Sequence, residues 1–439
     1  MPTQRVKIER MAYGAEAVGH LEDGKVVFVE GAAPGDVVSV DIVRDTPSFS
    51  QARIESIDEP SRDRVEPESA FDALTGAAPW QHLSYAAQLR EKRANVVSQL
   101  AHVGGVDQQR AEELVGEPLP SKRQWGYRNK IELGVVTSAT GSVDVGFYRE
   151  GTHDLVSVEK TLLAHKAIQK APKALRGALR YAQGNKDHGI FRIGVRHSLA
   201  TGELEIALWS TPGAFPRARF AQILSSALPA TSIVRVMADP GRARKIKGVE
   251  VLDGRGFWRD QIGEVRFSTQ ATSFFQVNTA QAAKLVDEVM KGLGGVEGKF
   301  IADLYAGGGT FSIPLALGGA DVVAIESAGS SVRDLRFNAD FNGVDLEVVG
   351  GDAARELRSL GSLDALVVDP PRAGLAETVP EDIAAAAPER LAYVSCNLST
   401  WARDVKRLEA CGFRLDRAIP VDLFPQTYHI EVVSIFKRA

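Results

Sequence analysis

The sequence predicts a multidomain α/β protein: a small N-terminal β-barrel, an α+β middle domain and a C-terminal doubly wound sheet. Three observations predict it. Short strand-like runs broken by turn signals crowd the first 57 residues. From Gln124 to about Trp258 strand-like and helical runs mix without regular alternation. From Phe300 onward apolar strands alternate with helical segments. The expected domains are 1–58, 59–260 and 261–439.

The barrel rests on Val6–Glu9, Lys25–Val29 and Asp36–Ile42, separated by Asp23-Gly24 and Ala33-Pro34-Gly35-Asp36. About five such closely spaced strands close most economically into a barrel. Glu59–Pro67, rich in Pro and charge, reads as a linker. A helix is expected over 84–102, opened by Ser84 and closed by Gly104-Gly105, with the option of packing on the C-terminal domain. The middle domain shows strand patterns at Lys130–Val136, Val143–Phe147 and Glu203–Trp209, and a helical stretch around 164–183. The C-terminal strands are Phe300–Tyr305, Val322–Ile325, Leu346–Val349, Ala365–Val368 and Leu391–Val394, followed by two more at about 413–421 and 430–437.

Composition narrows the class. With 44% hydrophobic and 25% charged residues the chain is an ordinary globular protein, not a disordered or fibrous one. Met1–Arg10 is too polar for a signal peptide and no apolar run is long enough to span a bilayer, so no membrane is expected. Two cysteines, Cys396 and Cys411, cannot build a disulfide framework or a usual zinc site; no metal is expected, and they suit a reducing, cytoplasmic compartment. A monomer is the default. The net charge of −4 divides into +3 before Gln261 and −7 from there on, so a polyanion would lean on the first 260 residues, although so small a difference also fits chance.

The strand Phe300–Tyr305 runs into Ala306-Gly307-Gly308-Gly309-Thr310 and then a helix-compatible run. Glycines there let the backbone turn tightly and approach a ligand. The next strand ends in Glu326, about twenty residues on, where a carboxylate can accept from both hydroxyls of a ribose. Asp303, Asp352 and Asp369 also fall toward the carboxyl ends of strands, where open α/β sheets bind ligands. Asp352 fits a helix N-cap ahead of Ala353–Glu356 equally well. So many acids repel a pyrophosphate and suit a cationic nucleoside, for which S-adenosylmethionine is the natural candidate. The fifth strand ends in Ser395-Cys396-Asn397, which sets a thiol beside that crevice as a candidate nucleophile.

The set Phe274–Asn278, Asp303–Phe311, Asp369–Arg372, Val394–Asn397 and His429–Glu431 resembles the RNA 5-methyluridine methyltransferase family, five motifs in the family's order. Gly24–Val29 with Pro34–Asp36 resembles the TRAM domain, an OB-like barrel. Trp80–Leu83, Tyr127–Lys130 and Gly151–Leu155 are similar to further family segments. The resemblance implies a Rossmann-like methyltransferase domain, Cys396 as nucleophile and Glu431 as base. It implies cofactor contacts from Gln276, Tyr305, Thr310, Glu326 and Asp369, with Asp303 in the preceding strand and Gly307 in the glycine loop of the same motif. The implied partner is an RNA, ribosomal or transfer, whose target uracil leaves its stack to react. Two other readings stay open. One is methylation of a base amino group, since Asp369-Pro370-Pro371 also resembles adenine N6 enzymes. The other is a non-catalytic RNA-binding protein that kept the fold.

One departure stands out. Many members of that family carry a four-iron, four-sulfur cluster on four cysteines. The corresponding positions here hold Ser69, Thr75, Ala78 and Thr161, so no cluster is expected. For RNA contact the barrel offers a platform. The densest basic stretch is Arg235, Arg242, Arg244, Lys245, Lys247, Arg255 and Arg259, either a phosphate track or a solvated hairpin. Lys122, Arg123, Trp125, Tyr127 and Arg128 mix cations with aromatics, either for stacking beside phosphate or as core.

Overall fold

A computed structural model describes residues 4–138, 141–149, 152, 154–184, 186–241 and 245–439. Arg242, Arg244 and two residues of the 151–155 segment, Gly151 and His153, lie outside the described residues.

Strands β1 (Gln4–Met11), β2 (Ala17–His20), β3 (Val26–Glu30), β4 (Val37–Asp45) and β5 (Phe49–Glu59) close into the expected barrel in the order 1-2-3-5-4. Alternation along β1 and β4 buries Val6, Ile8, Val38 and Val40, and Trp80 and Leu83 from beyond the barrel complete its core. Trp80 donates through Nε1 to Gly14 O at 2.9 Å. The Pro- and charge-rich segment after β5 is tied down: Ser61 N and Arg64 both bond the buried Asp36 carboxylate.

Helices α1 (Ala70–Leu74), α2 (Tyr85–His102) and α3 (Gln108–Leu114) follow. Ser84 caps α2, accepting from Ala87 N. The helix packs on the C-terminal unit, placing Val96, Val97 and Leu100 in the same core as Tyr393 and Trp401.

The middle region is one seven-stranded sheet, ordered 12-11-10-9-6-7-8. Its strands are β6 (Lys130–Thr137), β7 (Val143–Tyr148), β8 (Leu155–Ser157), β9 (Ile190–His197), β10 (Leu204–Ser210), β11 (Ser232–Ala238) and β12 (Ile246–Gly254). Two helices, α4 (Ala171–Gln183) and α5 (Arg217–Ala227), cover one face. The helix expected from 164 starts at Ala171, with Pro172 in its first turn, where a missing N–H costs nothing. A short hairpin, β13 (Trp258–Ile262) and β14 (Val265–Thr269), leads to the last unit.

There α6 (Thr279–Leu293), α7 (Ser312–Leu317), α8 (Gly329–Asn342), α9 (Ala353–Leu357), α10 (Val379–Ala386) and α11 (Leu398–Ala410) flank a seven-stranded sheet. Its strands are β15 (Phe300–Leu304), β16 (Asp321–Glu326), β17 (Glu347–Gly350), β18 (Ala365–Val368), β19 (Arg390–Ser395), β20 (Phe413–Val421) and β21 (Glu431–Arg438), in the order 17-16-15-18-19-21-20. Only β21 runs against its neighbours. The strand order reverses between β15 and β18, which opens a crevice at their carboxyl ends. No helix among the described residues is long and apolar enough to cross a membrane.

Candidate active site

β15 ends at Leu304, and Tyr305 takes a left-handed backbone, φ 64°. A side chain in that region costs roughly 1–3 kcal/mol and persists where the surroundings impose it. The turn that follows needs glycine twice. Gly309 has φ 97°, and a Cβ there would lie 2.6 Å from Leu335 Cδ1, so the loop packs directly on α8. Gly307, φ 57°, points its missing Cβ into open space, which leaves room at the loop for a ligand.

Glu326, at the tip of β16, accepts from Gly307 N at 2.9 Å and Ala328 N at 2.6 Å. These bonds fix its carboxylate against the glycine loop. Asp303 is fully buried; its Oδ2 accepts from Ser312 Oγ while Oδ1 has no partner. Burial pushes its carboxyl up to about 7, with Ser312 opposing and Glu326 adding to the shift. Asp369, one residue past β18, is likewise pushed up to about 7 by burial and then by Asp303. Asp303 lies within electrostatic reach of both Glu326 and Asp369 and keeps an orphan oxygen, a cluster of carboxylates whose charged forms a cation would favour. Gln276 is buried beside Asn129, whose Nδ2 donates to the Gln276 carbonyl at 2.9 Å. Thr310 is half-buried in the same loop. Asp352 is the N-cap of α9, accepting from Arg355 N at 3.1 Å; burial, and after it Asp352, raises the Tyr305 phenol.

Cys396 follows β19 directly and is half-buried. Asn397 caps α11 by accepting from Ser399 N and Thr400 N. Burial pushes the Cys396 thiol up to about 11; Glu431 and Asp369 add to this, and Arg372, hydrogen-bonded to the thiol, pulls the other way. Glu431, at the start of β21 and 7% exposed, is held well above the usual carboxylate range by burial and then by Asp369, with Arg372 opposing. Thiol, carboxyl and guanidinium thus meet at the ends of β19, β21 and β18. Cys411 is the C-cap of α11, ahead of Gly412 at φ 90°, and lies away from them.

Sequence patterns did not reveal the groups that hold this corner. Lys92 of α2 donates to Asp422 Oδ1 at 2.6 Å, both side chains fully buried, and Tyr85 OH donates to Asp422 Oδ2 at 2.8 Å. Gln88 exchanges two hydrogen bonds with Gln426, at 2.8 and 2.9 Å. Together they pin the 422–430 loop that leads into Glu431. His429 in that loop is kept neutral, its pKa pushed down to about 4 by burial and then by Arg372, Lys92 and Arg128.

The family model described as tRNA (uracil-5-)-methyltransferase matches residues 84–439, and a TRAM model matches residues 2–54. The chain belongs to this methyltransferase family. An uncharacterised RNA methyltransferase of Gloeobacter violaceus is 32% identical, covering 100% of this chain and 97% of its own. One from Listeria innocua is also 32% identical, covering 98% and 96%. The crystal structure of the Pyrococcus abyssi tRNA (uracil-54, C5)-methyltransferase, in complex with S-adenosyl-L-homocysteine, superposes with a TM-score of 0.77 at 26% identity over 99% of both chains.

In the methyltransferase's basic stretch, Arg235, Lys247 and Arg255 are held by partners within the protein. Arg235 is 1% exposed, stacked at 4.3 Å on Phe215 and bonded to Ser210, Thr211, Gly213 and Glu250. Lys247 pairs with Asp239 and Arg255 with Glu203. Tyr127 is core, donating to Pro425 O at 3.1 Å, and Trp125 donates to Glu68 at 2.9 Å. Lys122 and Arg123 remain exposed.

Proposed function

We propose that the enzyme transfers the methyl group of S-adenosylmethionine to C5 of a uridine in a transfer or ribosomal RNA, through a bond from Cys396 Sγ to C6 of uracil. What carries the reading is the convergence of Cys396, Arg372, Asp369 and Glu431 beside the glycine loop. S-adenosylmethionine brings a methyl group on a sulfonium, an electrophile with a positive charge. Asp303, Asp369 and Glu326 supply the negative field for it, and Gly307 the space.

C5 of uracil is a poor nucleophile. The Cys396 thiolate adds to C6, and the electron pair moves through C5 toward O4, leaving an enolate. C5 then takes the methyl as the bond from that methyl to sulfur breaks, its pair staying on sulfur as S-adenosylhomocysteine leaves, and C5 carries both hydrogen and methyl. Glu431 removes that hydrogen as a proton, the pair left behind restores the C5–C6 double bond, and the C6–S bond breaks to return the thiolate. A carboxylate of raised pKa is a stronger base than an ordinary one, which suits this role. Arg372 helps to hold the thiolate.

Methyl-labelled cofactor incubated with unmodified transfer and ribosomal RNA, followed by nucleoside analysis, tests this. Label in 5-methyluridine is expected, and the likeness to the archaeal tRNA enzyme makes transfer RNA the first substrate to try. Label in a methylated amino group contradicts it. RNA binding without any transfer leaves a non-catalytic binder.

A further inference from the structure

Of the four positions where cysteine-bearing relatives hold a cluster, three lie within ten residues and the fourth, Thr161, more than eighty residues on, yet here they close around one residue. Asp72, fully buried, accepts from Ser69 Oγ at 2.7 Å on Oδ2 and from Thr161 Oγ1 at 2.6 Å on Oδ1. Leu162 N adds a third bond to Oδ2 at 2.9 Å. The Asp72 carbonyl accepts from Ala77 N and Ala78 N at 2.9 and 3.1 Å and from Thr75 Oγ1 at 3.4 Å. A cluster does not fit: the place between the four positions is filled by the Asp72 carboxylate, and none of the four side chains can supply a thiolate.

What Asp72 joins matters for the reaction. Thr75, Ala77 and Pro79 form one wall of a crevice of about 570 Å³; Arg128, Lys130 and Phe147 form another, and Thr427–His429, next to Glu431, close its inner end. Arg128 N donates to Leu163 O at 3.0 Å, so the wall bearing Arg128 hangs on the segment that Asp72 grips. Arg128 Nε is buried with no hydrogen-bond partner among the described residues.

We propose that Asp72 is a positioning residue, a metal-free clamp that sets the width of the RNA-facing crevice in place of an iron–sulfur cluster. The inference rests on the RNA-methylation reading for what enters the crevice. The clamp itself does not depend on it. An asparagine can keep every contact, its oxygen accepting from Leu162 and Ser69 and its amide donating to a rotated Thr161 hydroxyl. An alanine keeps none of the side-chain contacts. Misplacing a wall by about 1 Å is enough to cost up to about a hundredfold in rate.

Full-length protein purified without oxygen is assayed for iron. Wild type, Asp72→Asn, Asp72→Ala and Thr161→Val are then compared by amide hydrogen exchange, by S-adenosylhomocysteine affinity and by KM and kcat on transfer RNA. The expected result is no bound iron, faster exchange across 75–79 and 160–163 in the alanine variant and a KM for RNA raised about tenfold or more. Homocysteine-ligand affinity should be unchanged, Thr161→Val intermediate and Asp72→Asn near wild type. If Asp72→Ala fails to fold, Thr161→Val carries the same comparison. About four irons per chain, or unchanged exchange and KM in both the alanine and valine variants, overturns the proposal. Altered exchange in a protein that methylates no uridine would overturn the functional reading and leave the clamp standing.

Discussion

The phenol of Tyr13, in the loop after the first barrel strand, accepts a hydrogen bond of 3.1 Å from Leu398 N, two residues beyond Cys396. Its edge also meets the Tyr428 ring, at 6.2 Å between centroids. The N-terminal barrel therefore touches the turn that carries Cys396. Tyr13→Phe removes the acceptor and leaves the Leu398 amide at the start of α11 without it, at a cost of about 1–3 kcal/mol. We expect a lower kcat with unchanged affinity for S-adenosylhomocysteine. Equal kcat in the phenylalanine variant would show that the contact does not govern the thiol's position.

The Cys396 thiol, pushed up to about 11, is almost wholly protonated at neutral pH, and Arg372 is the residue pulling it down. In Arg372→Ala the thiol rises further, so less thiolate exists at any pH below it. The rising limb of the single-turnover rate should move to more alkaline pH. A superimposable profile would assign the activation elsewhere.

Asp303 and Asp369 stand at about 7, above the usual carboxylate value, so the folded protein holds more protons than the unfolded chain between about pH 4 and 7. Ligand-free stability should then fall as pH rises through that window. A bound sulfonium favours the charged carboxylates. Calorimetry at pH 7 in buffers of different ionisation enthalpy should find proton release with S-adenosylmethionine and less with uncharged-sulfur S-adenosylhomocysteine. Equal release by both would place the sulfonium away from these acids.

Lys92→Met leaves Asp422 buried without its cation, which should cost about 3–5 kcal/mol in denaturant unfolding. Adding Asp422→Asn to it should recover part of that loss. A cost under about 1 kcal/mol would mean that water reaches the pair.

The C-terminal strands were legible almost residue by residue, because a parallel sheet buried on both faces forces continuous apolar runs such as Ala365–Val368. The middle sheet was legible only in part: β6, β7 and β10 matched their expected runs, but β9, buried along most of its length, carries Arg192 and Arg196, and charges inside a strand break the pattern that marks it. Cys396 was visible at a strand tip, whereas Glu431 was visible only through the resemblance of His429–Glu431 to a family motif. Lys92, Gln88 and Asp422 were invisible, since a buried ion pair between residues 330 positions apart leaves no local trace. Arg235 misled for the same reason, being a buried arginine that in sequence looks like any surface cation.

The most direct test of the mechanism is a trap. RNA carrying 5-fluorouracil is incubated with S-adenosylmethionine and wild-type protein, Cys396→Ala or Glu431→Gln. Fluorine at C5 cannot leave as a cation, so elimination stops and a covalent protein–RNA adduct accumulates. The account predicts an adduct with wild type, none with Cys396→Ala, and with Glu431→Gln an adduct even on ordinary uridine RNA. Methyl transfer to unsubstituted RNA by Cys396→Ala at the wild-type rate would contradict it.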